Sequence, residues 1–189
     1  MSEQFFSVEH GIVLNVEPLP ADFVLPTLEA LEQELPAPFR IAGAITHVDV
    51  GTARQLRNMG EEFGVLVEVI NQQSAKINLL LGYLLSQMDD PALHRITTRF
   101  GGSGLSFVEA QPLAVGQLLR IKLFLEDEAS AIYCYGRVSA CHPAPGGYLL
   151  DVEYARLRHD DQELLVRASL HVQSRQLKLR AEQRANPMK

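Results

Sequence analysis

The chain has 189 residues and a mass of 21.0 kDa, with 47% hydrophobic and 21% charged side chains and a net charge of −6. Such a composition supplies a core and excludes wholesale disorder, at a length that allows one domain plus an appended element. The longest apolar stretch, Ile77 to Leu85, is broken by Asn78 and Gly82 and the opening MSEQFFSVE lacks the regions of an export signal, so a cytoplasmic chain without a membrane span is expected.

Pro18, Pro20, Pro26, Pro36 and Pro38 break the first fifty residues into short pieces. Phe5 to Val16 holds the β-favouring run Ile12-Val13-Leu14, and Thr27 is placed to cap a short helix through Glu34 that aligns Leu28, Leu31 and Leu35. Phe39 to Val50 reads as another strand. Residues 1–50 are expected to form an ancillary α/β segment.

Thr52 to Asp90 runs 39 residues without proline and is rich in helix formers, which predicts one long helix over 51–91. Leu56, Gly60, Phe63, Val67, Ile70, Ser74, Ile77, Leu81, Leu84 and Met88 recur at intervals of 4-3-4-3-4-3-4-3-4, a heptad seam. Met59, Leu66, Val69 and Leu80 widen the apolar face beyond what a two-stranded coil covers, and Ile77 at d with Leu81 at a favours higher-order bundles. An amphipathic helix can instead lay its stripe on its own sheet. A rod of roughly 39 Å from Phe63 to Met88, at about 1.5 Å per residue, outreaches a compact sheet. Self-association is therefore expected, into trimers or tetramers. Its candidate contacts are Leu56, Phe63, Val67, Ile70, Ser74, Ile77, Leu81, Leu84 and Met88.

Past Pro91 the pattern changes to strands over His94 to Arg99, Leu105 to Val108, Gln117 to Glu126, Ala131 to Ala140 and Tyr148 to Tyr154. Leu119, Ile121, Leu123 and Leu125 alternate along one of them, and Ile132, Cys134, Gly136 and Val138 along the next. Gly101-Gly102-Ser103-Gly104 makes a turn that needs positive φ or close backbone approach, and Pro143 to Gly147 makes another. Such short antiparallel strands suggest a small barrel. Asp160 or Asp161 opens a closing helix with Leu164, Leu165, Ala168, His171 and Val172 on one face.

Charge is unevenly placed. Residues 1–50 carry eight acidic side chains against Arg40, a balance of −7, whereas residues 167–189 carry six basic ones against Glu182, a balance of +5. The basic end has no interleaved aromatics for stacking bases and complements a helix dipole, so no nucleic-acid partner is expected. Glu126, Asp127 and Glu128 read as a solvated hairpin tip.

Enzyme motifs fail on inspection. No Lys follows the glycine turn as a P-loop requires, Gly101-Gly102-Ser103-Gly104-Leu105 lacks the last glycine of a hydrolase elbow, and Gly102-x-Gly104 runs on to Phe107 where a dinucleotide fingerprint has its third glycine. Cys134 and Cys141 stand seven apart and the six histidines are scattered singly, so reduced thiols and no metal or cofactor are expected.

The run Arg99-Phe100-Gly101-Gly102-Ser103-Gly104-Leu105-Ser106-Phe107 is followed by Pro112-Leu113-x-x-Gly116, Gly136-Arg137-Val138, Gly146-Gly147-Tyr148 and Asp151-Val152-Glu153-Tyr154. Together these resemble a PilZ domain, and Asp160-Asp161-Gln162-Glu163-Leu164-Leu165 resembles the segment after that family's last strand. The resemblance implies an α+β fold over residues 92–182, a small antiparallel six-stranded β-barrel with a C-terminal helix. The long coiled-coil helix precedes it and a basic tail, 183–189, follows.

The resemblance also implies a link to cyclic di-GMP, which the family reads with an RxxxR motif before the barrel and a [DN]xSxxG motif on the strand after it. Aligned on Gly104, the family's Asp or Asn falls on Arg99 and its Ser on Gly101, so both side chains are replaced. Arg95-Ile96-Thr97-Thr98-Arg99 spells RxxxR, but Arg99 would then have to serve both motifs. A long heptad helix before an incomplete barrel resembles a tetrameric PilZ subgroup whose helices form a parallel bundle without nucleotide binding. The resemblance thus implies a non-enzymatic signalling or adaptor protein in cyclic di-GMP-linked bacterial regulation, acting on unidentified protein partners with little or no affinity for the nucleotide. The alternative is a true cyclic di-GMP receptor with a divergent site at Arg95, Arg99 and Ser103.

Overall fold

The structure, a computed structural model, describes residues 7–44 and 64–185. Among them are seven strands, β1 (Ser7–Glu9), β2 (Val13–Pro18), β3 (His94–Gly101), β4 (Gly104–Glu109), β5 (Leu118–Leu125), β6 (Ser130–Ala144) and β7 (Gly147–Arg156). The helices are α1 (Leu28–Glu34), α2 (residues 37–44), α3 (Gly64–Ser86) and α4 (His159–Ala185). Antiparallel pairing in the order β2-β5-β6-β7-β4-β3 returns to β2 and closes the ring. β1 and β2 lie end to end along β3 and count as one stave, so the barrel is six-stranded, closed by a C-terminal helix.

The break in that first stave has a local cause. Between Glu9 and Val13 the register against β3 slips by one residue, and Thr97 fills the gap. Its hydroxyl donates to the His10 carbonyl (2.7 Å) and accepts from the Ile12 amide (2.8 Å), satisfying two backbone groups that the ladder cannot reach.

The expected division between an ancillary segment over 1–50 and a barrel beginning at 92 does not follow how the ring is built. Strands after residue 92 number five, and β2 lies between β3 and β5, pairing Val13–Asn15 with His94–Ile96 on one side and Val13–Pro18 with Leu119–Phe124 on the other. A stave supplied from so far away in the chain leaves no local mark in the residues it joins.

β5 points Leu119, Ile121, Leu123 and Leu125 inward, and β6 adds Ile132, Cys134 and Val138. The opposite face of β6, with Ala131, Tyr133 and Tyr135, is buried too, under Leu31 of α1, Phe39 and Ala42 of α2, and Leu81 and Leu85 of α3. At about 1.5–3 kcal/mol for each large side chain removed from water, this outer layer fixes three helices to the barrel wall. Thr27 caps α1 as expected, its hydroxyl accepting from the Ala30 amide at 3.2 Å.

Residues 39–44 are helical where a strand is expected, and 45–50 lie outside the described residues. Pro36 and Pro38 suit a helix start, the Phe39 and Arg40 amides bond the Pro36 carbonyl, and helical spacing turns both Phe39 and Ala42 onto the barrel. Burial there outweighs the strand preference of the local sequence. The expected Pro143 to Gly147 turn is tighter than drawn. β6 runs on to Ala144, and Pro145-Gly146 turns alone with Gly146 at φ +86°, the left-handed position after proline in a type II turn.

α3 realises the long helix over Gly64–Ser86, while Leu56 and Phe63 lie outside the described residues. The predicted seam splits. Leu81 is only 6% exposed and packs with Leu85 and Met88 against the barrel, so Leu81 and Met88 serve the chain's own core in place of a contact between copies. Met88 also stands in a turn past the helix end. Ile77 and Leu84 remain 42% and 40% exposed, beside Leu80 at 71%, Leu66 and Val69. Ile70 and Ser74 are half-buried, and Val67 lies within α3. The free apolar face is therefore rotated from the expected seam toward Leu66, Val69, Ile77, Leu80 and Leu84.

α4 buries Leu164, Leu165, Ala168 and Val172, but His171 turns outward. Glu126–Glu128 form a 3-10 turn with Glu126 and Asp127 exposed, the solvated tip expected, and this tip also clamps the helix: Glu128 meets His171 (2.8 Å) and Arg167 (4.0 Å), and Asp127 meets Arg175 (3.0 Å).

Candidate functional site

Residues four apart in a strand share a face, which would make Arg95 and Arg99 one fork. A bulge at Thr98 prevents it, since Thr97 pairs with Phe107 but Arg99 with Ser106. Arg95 donates through Nε and Nη2 to the two Glu109 oxygens (2.8 and 3.0 Å) and through Nη1 to the His94 carbonyl (2.7 Å). Arg99 reaches Ser106 Oγ and Asp151 Oδ1, both at 3.3 Å. Glu109 and Ser106 are three apart on β4 and so project to opposite faces. The two arginines work on opposite sides of the barrel wall.

Ser106 lies opposite Asp151 of β7 and donates to its Oδ1 at 2.5 Å. Arg99, Ser106 and Asp151 thus form one hydrogen-bonded group at the edge of a cleft of about 850 Å³. Ser103, Ser139, Glu153, Arg156 and Gln162 complete its walls. Arg99 and Ser103 line the cleft; Arg95 does not. Its lining carries two cations, Arg99 and Arg156, and two carboxylates, Asp151 and Glu153, so its charges balance.

In the glycine turn, Gly104 is required by close approach. Among the described residues the glycines at positive φ are Gly116, Gly146 and Gly147, whereas a Cβ at Gly104 would lie 2.3 Å from the Val152 carbonyl oxygen. Gln162 Nε2 donates to the Gly102 carbonyl (3.0 Å) and the Tyr154 amide to that of Ser103 (3.2 Å), so the turn is held from α4 and β7. Sequence reasoning missed Glu109, Ser106 and Asp151. One signal was available: an arginine at the family's acidic position calls for a nearby acid, which Asp151 supplies.

Both cysteines are free. Burial, then the Asp161 carboxylate, raises the Cys134 thiol, and Asp161 is itself held by Arg158 through two 2.8 Å hydrogen bonds. The Tyr154 hydroxyl is buried without a hydrogen-bond partner among the described residues. Burial, then Cys134, pushes it well above the ordinary phenol value. Both groups must stay neutral when folded, so the stability they support is complete below the ordinary values of 9.0 and 10.0 and is lost at higher pH, where only the unfolded chain ionises. The thermal midpoint should therefore hold from neutral pH to about 9.0 and fall steeply beyond 10.0, as read by circular dichroism.

The family model for the PilZ domain matches residues 70–171, more than half of the chain. The chain belongs to the PilZ domain family. The match takes in β3 to β7 and leaves out β2, the stave that closes this PilZ barrel. A pathogenic protein from Xanthomonas campestris, described as a new tetrameric PilZ domain self-assembled via an unusual helical bundle, is similar over 93% of this chain and 92% of its own, at 16% identity and a TM-score of 0.58. The Bacillus subtilis inhibitor of motility (MotI/DgrA) is similar over 93% of this chain and 53% of its own, at 11% identity and a TM-score of 0.48. No curated relative matches. Among the described residues no helix is long and apolar enough to cross a membrane.

Proposed function

We propose that this PilZ chain is a non-enzymatic cytoplasmic adaptor in cyclic di-GMP-linked regulation. It assembles through the free face of α3 and binds the nucleotide weakly or not at all. The observation that carries this is the engagement of both arginines on opposite faces of the wall. Cyclic di-GMP brings two phosphodiesters, yet Arg99 is already neutralised by Asp151 and Arg95 by Glu109. Recruiting Arg95 would also break charge-assisted hydrogen bonds contributing about 1.5–3 kcal/mol each. The exposed stripe on α3 supports assembly, as does the likeness to the Xanthomonas protein, whose PilZ domain is tetrameric. Partners would then be recruited by the assembled barrels.

A second reading has its own support, because a cleft of about 850 Å³ beside Arg99 is within the range of small-ligand sites. A receptor would use Arg99 and Ser103 there. Calorimetry with cyclic di-GMP on protein of known oligomeric state separates the two. The adaptor predicts no heat at tens of micromolar protein; saturable heat that Arg99→Ala abolishes would establish the receptor.

A further inference from the structure

α4 outruns the barrel it closes. Asp161, Leu165, Ala168, Val172, Arg175 and Leu179 recur at intervals of 4-3-4-3-4, one face of the helix. The first four are buried against the barrel and Arg175 reaches Asp127 of the acidic turn. Leu179 ends the same stripe but is 52% exposed, one turn beyond Gln176, whose amide donates to the Glu9 carbonyl at 2.8 Å. Lys178 and Arg180 flank it, each roughly 100° around the helix. Both are exposed, with no ion-pair partner among the described residues. The overhang is therefore an apolar knob between two free cations.

Its complement lies elsewhere on the chain. A groove of about 770 Å³ runs between α3 and the β5–β6 tip, floored by Leu79, Tyr83, Phe124 and Ala129 and edged by Asp89, Glu126 and Asp127, with no lysine or arginine in its walls. Leu79 and Tyr83 are 75% and 68% exposed. They point roughly 100° around α3 from the Ile77, Leu80 and Leu84 face, so a bundle built on that face leaves the groove open. Glu126 has no ion-pair partner among the described residues.

We infer that Leu179, with Lys178 and Arg180 beside it, docks in this groove on a second copy of the chain. The two surfaces match in character, an apolar knob for an apolar floor and cations for the Glu126 carboxylate, Asp89 and Asp127 being engaged by His94 and Arg175 of their own chain. α4 is one continuous helix clamped at Arg167, His171 and Arg175, which holds Leu179 in solvent on its own chain. The contact is head-to-tail, and such contacts close only in a ring. The inference therefore rests on the assembly proposed above, and requires that it close as a ring.

Disulfide capture in the full chain tests it. A Leu79→Cys/Leu179→Cys variant in a Cys141→Ser background, oxidised mildly, should give covalent species of up to four chains on a non-reducing gel. A Val115→Cys/Leu179→Cys control, with Val115 exposed and away from both α3 and the groove, should not. Glu126→Lys should slow bridging about tenfold by setting like charges face to face, and adding Arg180→Glu should restore the rate. A light-scattering tetramer whose chains stay unbridged overturns the docking and leaves the α3 bundle standing. A monomer without bridges overturns both. Bridges confined within single chains overturn the contact between copies.

Discussion

Replacing Leu80 and Leu84 with aspartate should dissolve the assembly into single chains while leaving the barrel folded. Both side chains are exposed on α3 and belong to neither buried cluster. Burying a leucine contributes about 1.5–3 kcal/mol, so in the proposed tetramer the eight of them would carry at most about 12–24 kcal/mol of association energy. Aspartate removes that gain and sets like charges against one another at the bundle axis. Sedimentation velocity should show one species at the mass of a single chain, 21.0 kDa, with the far-ultraviolet spectrum retained. The same substitution at Leu81 would not discriminate, because Leu81 packs with Phe39 and Tyr133, and a charge there would undock α3 from its own barrel.

Gly104→Ala should strongly destabilise the barrel wall. β4 and β7 pair Gly104 with Glu153 and Leu105 with Val152, and a Cβ at Gly104 would sit 2.3 Å from the Val152 oxygen, 3.2 Å from its carbonyl carbon and 3.4 Å from the Glu153 Cα. All three are backbone atoms, so relief requires the two strands to part. Overpacking a well-filled site costs about 1–3 kcal/mol; with backbone as the obstacle the upper end is expected, a loss of about 3 kcal/mol in urea unfolding. Arg99→Ala should cost under about 1 kcal/mol, since its ion pair with Asp151 is half-exposed. The contrast separates the roles within one motif. The glycine is demanded by strand packing, whereas Arg99 contributes only a half-exposed ion pair.

Strands whose partners are neighbours in sequence were legible. The alternation of Leu119, Ile121, Leu123 and Leu125 and of Ile132, Cys134 and Val138 specifies both the strands and their inward faces. What escaped were choices made by distant partners. β2 inserts between β3 and β5, Phe39 and Ala42 turn helical to cover Tyr133, and Leu81 leaves the seam for the same outer layer. A heptad repeat reports an apolar face but not which part of it the chain's own barrel claims. At the site, RxxxR was legible as letters, yet the Thr98 bulge that sets Arg95 and Arg99 on opposite faces arises from pairing with β4.

Multi-angle light scattering of the full chain, with and without saturating cyclic di-GMP, bears most directly on whether this PilZ barrel is an assembled scaffold rather than a nucleotide-driven switch. The predicted result is a mass of four times 21.0 kDa in both conditions. A single-chain mass, or a mass that changes when the nucleotide is added, would contradict it.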